Sequence, residues 1–280
     1  MKNNNLPTIF CAFMLVSSLL IEANGQSYAS KETETVVKKM IAAHGGYEAW
    51  KDLKTLSFSN IMHSESLPTL RFWTSSNTYD MKTRRSYQDW PIHQSYMSFD
   101  GKEAWSIDWR VGNSPKYQHS VFFYYVNLPW LTQDSNVKLG QAVKITHEAY
   151  DNPVYKVEMG FTEPPTEGKS VNDTYTLFID SESYLLAGYE YTVSWGPLLD
   201  LMRIPKGEVF GPVRRKNNLF STEENGLRFP VLMTTSNVET GELYGDHVLY
   251  NYVLDGDFDE SRMIKPPNAI VDTVTDVRKN

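Results

Sequence analysis

The residues Glu34 to Trp50, ETVVKKMIAAHGGYEAW, constrain the fold more than any other stretch, because they alone carry long, clear helical periodicity. Val36, Val37, Met40, Ile41 and His44 fall on one arc at about 100° per residue, with Lys38 and Lys39 outside it. Gly45-Gly46 stops the helix, since glycine takes the left-handed cap without a Cβ penalty. One apolar stripe needs a large surface to cover it, and nearly everything that follows reads as strand. The arrangement predicted is a helix laid on a sheet.

The strand reading rests on alternation. Thr55 to His63 and Thr69 to Ser75 alternate around a turn at Pro68, and Thr78 to Gln88 is polar but strand-compatible. His93 to Phe99 runs into Asp100-Gly101, a tight-hairpin signal, and Glu103 to Trp109 returns. Val137 to Tyr150 and Val154 to Phe161 follow. Asp173 to Trp195 is the clearest hairpin, with Tyr175, Leu177 and Ile179 on one face and Leu185, Ala187, Tyr189, Tyr191, Val193 and Trp195 on another. Lys216 to Thr222, Leu227 to Val238 and Leu243 to Leu254 complete the set. About ten or eleven antiparallel strands with few helices make this a mainly β chain. We expect one curved antiparallel sheet, an unclosed barrel wrapped around the N-terminal helix, and no linker that would divide it.

The N-terminus reads as an export signal. Lys2 precedes a mostly apolar run from Ile9 to Ile21, too short for a membrane span, and Ala23-Asn24-Gly25 offers small residues at a cleavage site. Residues 1–25 are expected to leave, with 26–280 forming a single half-barrel domain. Cys11 is the only cysteine and lies in the signal, so disulfide, thiolate nucleophile and thiolate metal site are excluded for the exported chain. A net charge of −7 argues against nucleic acid as a partner.

The chain resembles the periplasmic lipoprotein-carrier and lipoprotein-sorting group, the LolA-like superfamily, in its uncharacterised secreted branch. The resemblance is carried by Ala43-His44-Gly45-Gly46 with Trp50, by Phe99-Asp100-Gly101 with Trp105, by Asn127-Leu128-Pro129 after an aromatic run, and by the Tyr175 to Tyr191 hairpin with Phe178-Ile179-Asp180. It covers most of the exported chain through the order of these motifs. It implies an unclosed β-barrel, partly lidded by helices, whose concave face accepts acyl chains, in the periplasm or outside the cell. The implied partners are an apolar small molecule, a lipid or a lipoprotein acyl chain.

Two apolar inserts break the strand pattern. Val121 to Leu131, VFFYYVNLPWL, and Pro197 to Pro205, PLLDLMRIP, concentrate apolar side chains beside prolines, where the chain must leave the sheet. The first reads as a buried strand, a short core helix or a flap over a cavity, and periodicity does not separate them. Phe122, Phe123, Trp130, Leu198 and Met202 are the expected ligand-binding residues, with His44 a possible ligand contact. His44, His63, His93, His119, His147 and His247 lack pair spacing, and no Gly-x-Ser-x-Gly elbow occurs. The expectation is therefore a non-enzymatic binder with no cofactor and no metal. Two alternatives stand beside it: an exported hydrolase using His44 or His147 with a nearby Asp, and an envelope protein binding a protein or glycan through exposed aromatics.

Overall fold

The computed structural model describes residues 27–65, 72–223 and 225–276. The expected signal, the Pro68 turn and the start of the strand drawn from Thr69 lie outside them. The first part of the chain forms β1 (Ser27–Tyr28), α1 (Lys31–Ala43), α2 (Tyr47–Asp52), β2 (Thr55–Ser64), β3 (Phe72–Asp80), β4 (Ser86–Trp90), β5 (Ser95–Phe99) and β6 (Ala104–Ile107). Next come α3 (Pro115–Leu131), β7 (Val137–Leu139), β8 (Val143–Ile145), β9 (Val154–Phe161), β10 (Thr174–Asp180) and β11 (Leu186–Val193). The last part is α4 (Gly196–Leu201), β12 (Phe210–Phe220), β13 (Pro230–Asn237), β14 (Leu243–Leu254) and β15 (Ile270–Val271).

All the strands join one sheet in the order β1-β7-β9-β10-β11-β12-β13-β14-β2-β3-β4-β5-β6-β15, with β8 also on β9. β1 runs parallel to β7, and the other described pairs are antiparallel. The end strands do not pair, so the barrel is open. The described strands number 15 where about ten or eleven were expected. Four of them pair over only two or three residues, which leaves no alternation to read. The segment from Thr78 to Gln88 is also two strands, because Asp80 turns the chain by accepting from the backbone N–H of Lys82 and Thr83.

α1 forms as its stripe dictates. Ser30 caps it by accepting from the Thr33 N–H, and Val36, Val37, Met40 and Ile41 are buried. Gly45 follows at φ +100°, and a Cβ there would meet the Gly226 carbonyl oxygen at 2.5 Å. The residue must therefore be glycine both for its conformation and for the close approach.

The first apolar insert is neither strand nor flap. It is the second half of α3, in which all residues but Lys116 and Tyr125 are buried. A helix hydrophobic all round has no stripe, and its Phe, Tyr and Val residues favour strands in isolation. It is held from both sides of the sheet. Tyr79 Oη on β3 donates to the His119 carbonyl, and Gln88 on β4 donates to the Gln118 carbonyl. Across the barrel, Tyr124 stacks on Tyr175 of β10, and Tyr117 stacks on Trp195. Two helices, α1 and α3, thus share the interior, the second being the core-helix reading of this insert.

The hairpin of β10 and β11 is as read, with Thr174 opposite Thr192 and Tyr175 opposite Tyr191. A register shift at Phe178/Ile179 turns the strand over, so Leu186 is buried inward in place of Leu185 and Ala187. Ala187 packs instead on a small outer cluster of Tyr150, Val154 and Phe178.

Candidate functional site

The site is a gap in the concave face, and cross-strand register explains it. Arg215 of β12 lies opposite Thr235 of β13, Thr235 opposite Gly245 of β14, and Gly245 opposite Ser64 of β2. This row carries three small residues and one long one. The next row, Met233, His247 and Met62, does not fill the space. The result is a cavity of ≈ 380 Å³ lined by the Arg215 row, by Met62, His63, His247 and Tyr244, and by Tyr125 of α3 with Met202 and Phe210. A volume of this order suits a small ligand, for which roughly 300–1,000 Å³ is usual. A second cavity of ≈ 150 Å³, walled by Trp73, Trp90, Val121 and Phe122, meets the first at Met62, Tyr125 and His247.

Strand alternation sends Arg214 outward and Arg215 inward. Arg214 pairs with Glu190 at 2.7 Å on the outer face. Arg215 is 2% exposed, and its guanidinium carbon stands 3.7 Å from the centre of the Tyr125 ring. Its Nη2 donates to Tyr191 Oη at a long 3.4 Å. Nε and Nη1 have no hydrogen-bond partner among the described residues, and neither has Thr235 Oγ1 beside them.

Two other polar groups of the cavities, His247 and Tyr125, are held in their neutral forms. Burial, and then the Arg215 charge, holds His247 well below the ordinary histidine value. Its Nδ1 lies 3.0 Å from Asn60 Oδ1. Burial pushes the Tyr125 phenol well up. Among the described residues no Asp or Glu lines either cavity. The arrangement supplies apolar contact, neutral hydrogen-bond donors and one buried cation.

The residues expected from the sequence are distributed unevenly. Phe122 lines the smaller cavity and Met202, 43% exposed, lines the larger. Phe123 packs on Tyr79, with the Arg84 guanidinium 5.5 Å from its ring. Trp130 stacks on Trp50 at 5.9 Å, and its Nε1 donates to the Gly46 carbonyl. Leu198 is buried on α4. His44 lies among Trp130 and Phe220 away from both cavities. Its Nδ1 donates to the Arg228 carbonyl at 3.0 Å and its Nε2 accepts from the Leu186 N–H at 3.0 Å, so neither ring nitrogen is left for a ligand. Burial lowers its pKa to about 4. His147 lies on the outer side, against Tyr150 and Phe178.

Sequence reasoning missed Arg215, Thr235, Tyr125 and His247. In Arg214-Arg215-Lys216 a buried arginine looks like one of three solvated charges, and only the alternation with Val213, buried two residues earlier, marks it. Two larger hollows, of ≈ 620 and ≈ 470 Å³, lie at the surface against residues 270–276. The buried cation there, Lys169, already donates to Tyr175 Oη at 2.7 Å.

The architecture is an open β half-barrel with helices inside. Among solved structures the chain is similar to a LolA superfamily protein from Nitrosomonas europaea, with a TM-score of 0.51 at 9% identity over 83% of this chain and 97% of that one. It is also similar to a putative outer membrane lipoprotein-sorting protein domain from Vibrio parahaemolyticus, with a TM-score of 0.47 at 9% identity over 80% and 96%. A DUF1329 family protein from Desulfovibrio piger gives 0.48 at 8% identity over 81% and 95%. No family model and no curated protein matches the sequence. The fold is LolA-like.

Proposed function

We propose that this chain is an exported, non-enzymatic binder of an apolar or acylated ligand, a lipid or lipoprotein acyl chain, held between α3 and the concave face. The observation that carries the reading is the pair of meeting cavities, walled by Met62, Trp73, Trp90, Phe122, Tyr125 and Met202. An acyl chain there gains roughly 0.8 kcal/mol for each CH₂ it buries. The LolA-like fold supports the same class of ligand. In this reading Phe122 and Met202 touch the chain, while Phe123, Trp130 and Leu198 hold the walls in place. Export rests on the apolar run and small residues of the N-terminus. Among the described residues no helix is long and apolar enough to cross a membrane.

The test is binding of a fluorescent fatty acid. Wild type should bind it at micromolar concentration, and Thr235→Trp, which fills the larger cavity, should abolish binding with the thermal unfolding midpoint kept. A wild type that binds no such probe removes the reading.

A further inference from the structure

The unpaired cation in an acid-free cavity specifies the head of the ligand. We propose that the larger cavity selects single-chain amphiphiles with a carboxylate head, which Arg215 and Thr235 hold while the chain runs past Met62 and Tyr125 into the smaller cavity. This rests on the apolar-ligand reading of the same site and narrows it to a chemical class.

Three observations support it. Arg215 is buried, yet Nε and Nη1 have no partner among the described residues. A buried arginine ordinarily has a carboxylate to compensate it, and a group left unpaired at a cavity wall has its donors free for a ligand. Thr235 stands directly across the ladder from Arg215, and its Oγ1 is unpaired as well. A carboxylate between them would accept charge-assisted bonds from the guanidinium and one from the hydroxyl. Tyr125 packs its ring on the guanidinium at 3.7 Å, which leaves the N–H edge as the place for the head.

The charge balance selects a carboxylate over a phosphate monoester. His247 is held neutral and points its Nδ1 at Asn60. His63, at the rim, has Glu65 at 3.6 Å. Arg215 is then the one strong cation facing the cavity among its described lining residues. A carboxylate neutralises it, whereas a monoalkyl phosphate carries about −1.5 to −2 at neutral pH and would leave charge uncompensated among aromatic rings. The smaller cavity has Trp73, Trp90, Val121 and Phe122 in its wall, which suit the end of an alkyl chain, alongside the polar Asn60, Asn113 and Gln118.

The experiment compares dodecanoic acid, dodecanol and dodecyl phosphate by titration calorimetry on the intact protein. Wild type should bind the acid on the order of tenfold tighter than the alcohol, and tighter than the phosphate. Arg215→Met should bring the acid down to the alcohol's affinity and leave the alcohol unchanged. Thr235→Val should weaken the acid alone, by a few-fold. Equal affinity for acid and alcohol in wild type overturns the proposal, and so does a preference for the phosphate. Both results would leave an apolar-ligand site standing. Failure of all three to bind would refute that site and this proposal with it. The wild-type comparison decides even if a variant fails to fold.

Discussion

His44 should make this protein acid-sensitive by an amount the structure allows to be worked out. The imidazole bridges α1 to two distant backbone groups, the Arg228 carbonyl and the Leu186 N–H. Protonating Nε2 would destroy its acceptor role and place a charge in a site that is 1% exposed. Burial accordingly lowers its pKa from 6.5 to about 4. In the unfolded chain the same residue takes its proton near 6.5. Between those values the unfolded state binds more protons than the folded one, so stability rises with pH there. The contribution is fully present above about pH 6.5 and is lost as pH falls toward 4. At about 1.4 kcal/mol per pH unit the whole window amounts to about 3 kcal/mol. Urea unfolding of wild type and His44→Gln at pH 7.5, 6 and 5 isolates this term. His93, His119 and His247 are lowered by burial too, but they contribute equally to both proteins. The variant should be less stable at neutral pH by roughly 1–3 kcal/mol, since one backbone partner loses its bond. Its deficit should shrink by about 2 kcal/mol on going to pH 5. A deficit that stays constant with pH would refute the bridging role.

Met40→Ala should cost about 2–5 kcal/mol in chemical denaturation, because Met40 is fully buried under α1. Asn127→Ala should cost roughly 1–3 kcal/mol by orphaning the Trp50 Nε1 donor, which it accepts at 2.7 Å, and the loss should show in thermal melts. Gly245→Ala should destabilise by roughly 1–3 kcal/mol or more, since its Cβ would strike the His63 carbonyl from a backbone at φ +149°; an unchanged melting temperature would contradict the register of β14 on β2. Met202→Asp should abolish binding of a fluorescent fatty acid with the fold kept, as Met202 is half exposed at the cavity, whereas Phe122→Asp should unfold the chain, as circular dichroism would report.

The alternating strands were legible because one face of the sheet is dry and the other wet. The pairing of Tyr175 with Tyr191 and the Asp100-Gly101 hairpin, where Asp100 accepts from the Lys102 and Glu103 N–H groups, follow directly from such patterns. α1 was legible for the same reason, with its charged residues outside the buried arc. α3 was not, because burial on every side removes the contrast that periodicity measures. The two- and three-residue strands were invisible for want of length. The candidate site was the least legible part. Phe122 and Met202 could be proposed from the places where alternation fails, but Arg215 and Thr235 become neighbours only through pairing of β12 with β13. A small residue facing a large one across a ladder leaves no mark along the chain.

The proposed role requires an acyl ligand on the concave face of this half-barrel. Native mass spectrometry of the protein, taken from its producing cells without detergent, tests it most directly. A population heavier than the bare chain by the mass of a single-chain lipid is expected, released on denaturation and absent from Thr235→Trp. A bare mass in wild type, unchanged after incubation with dodecanoic acid, would contradict it.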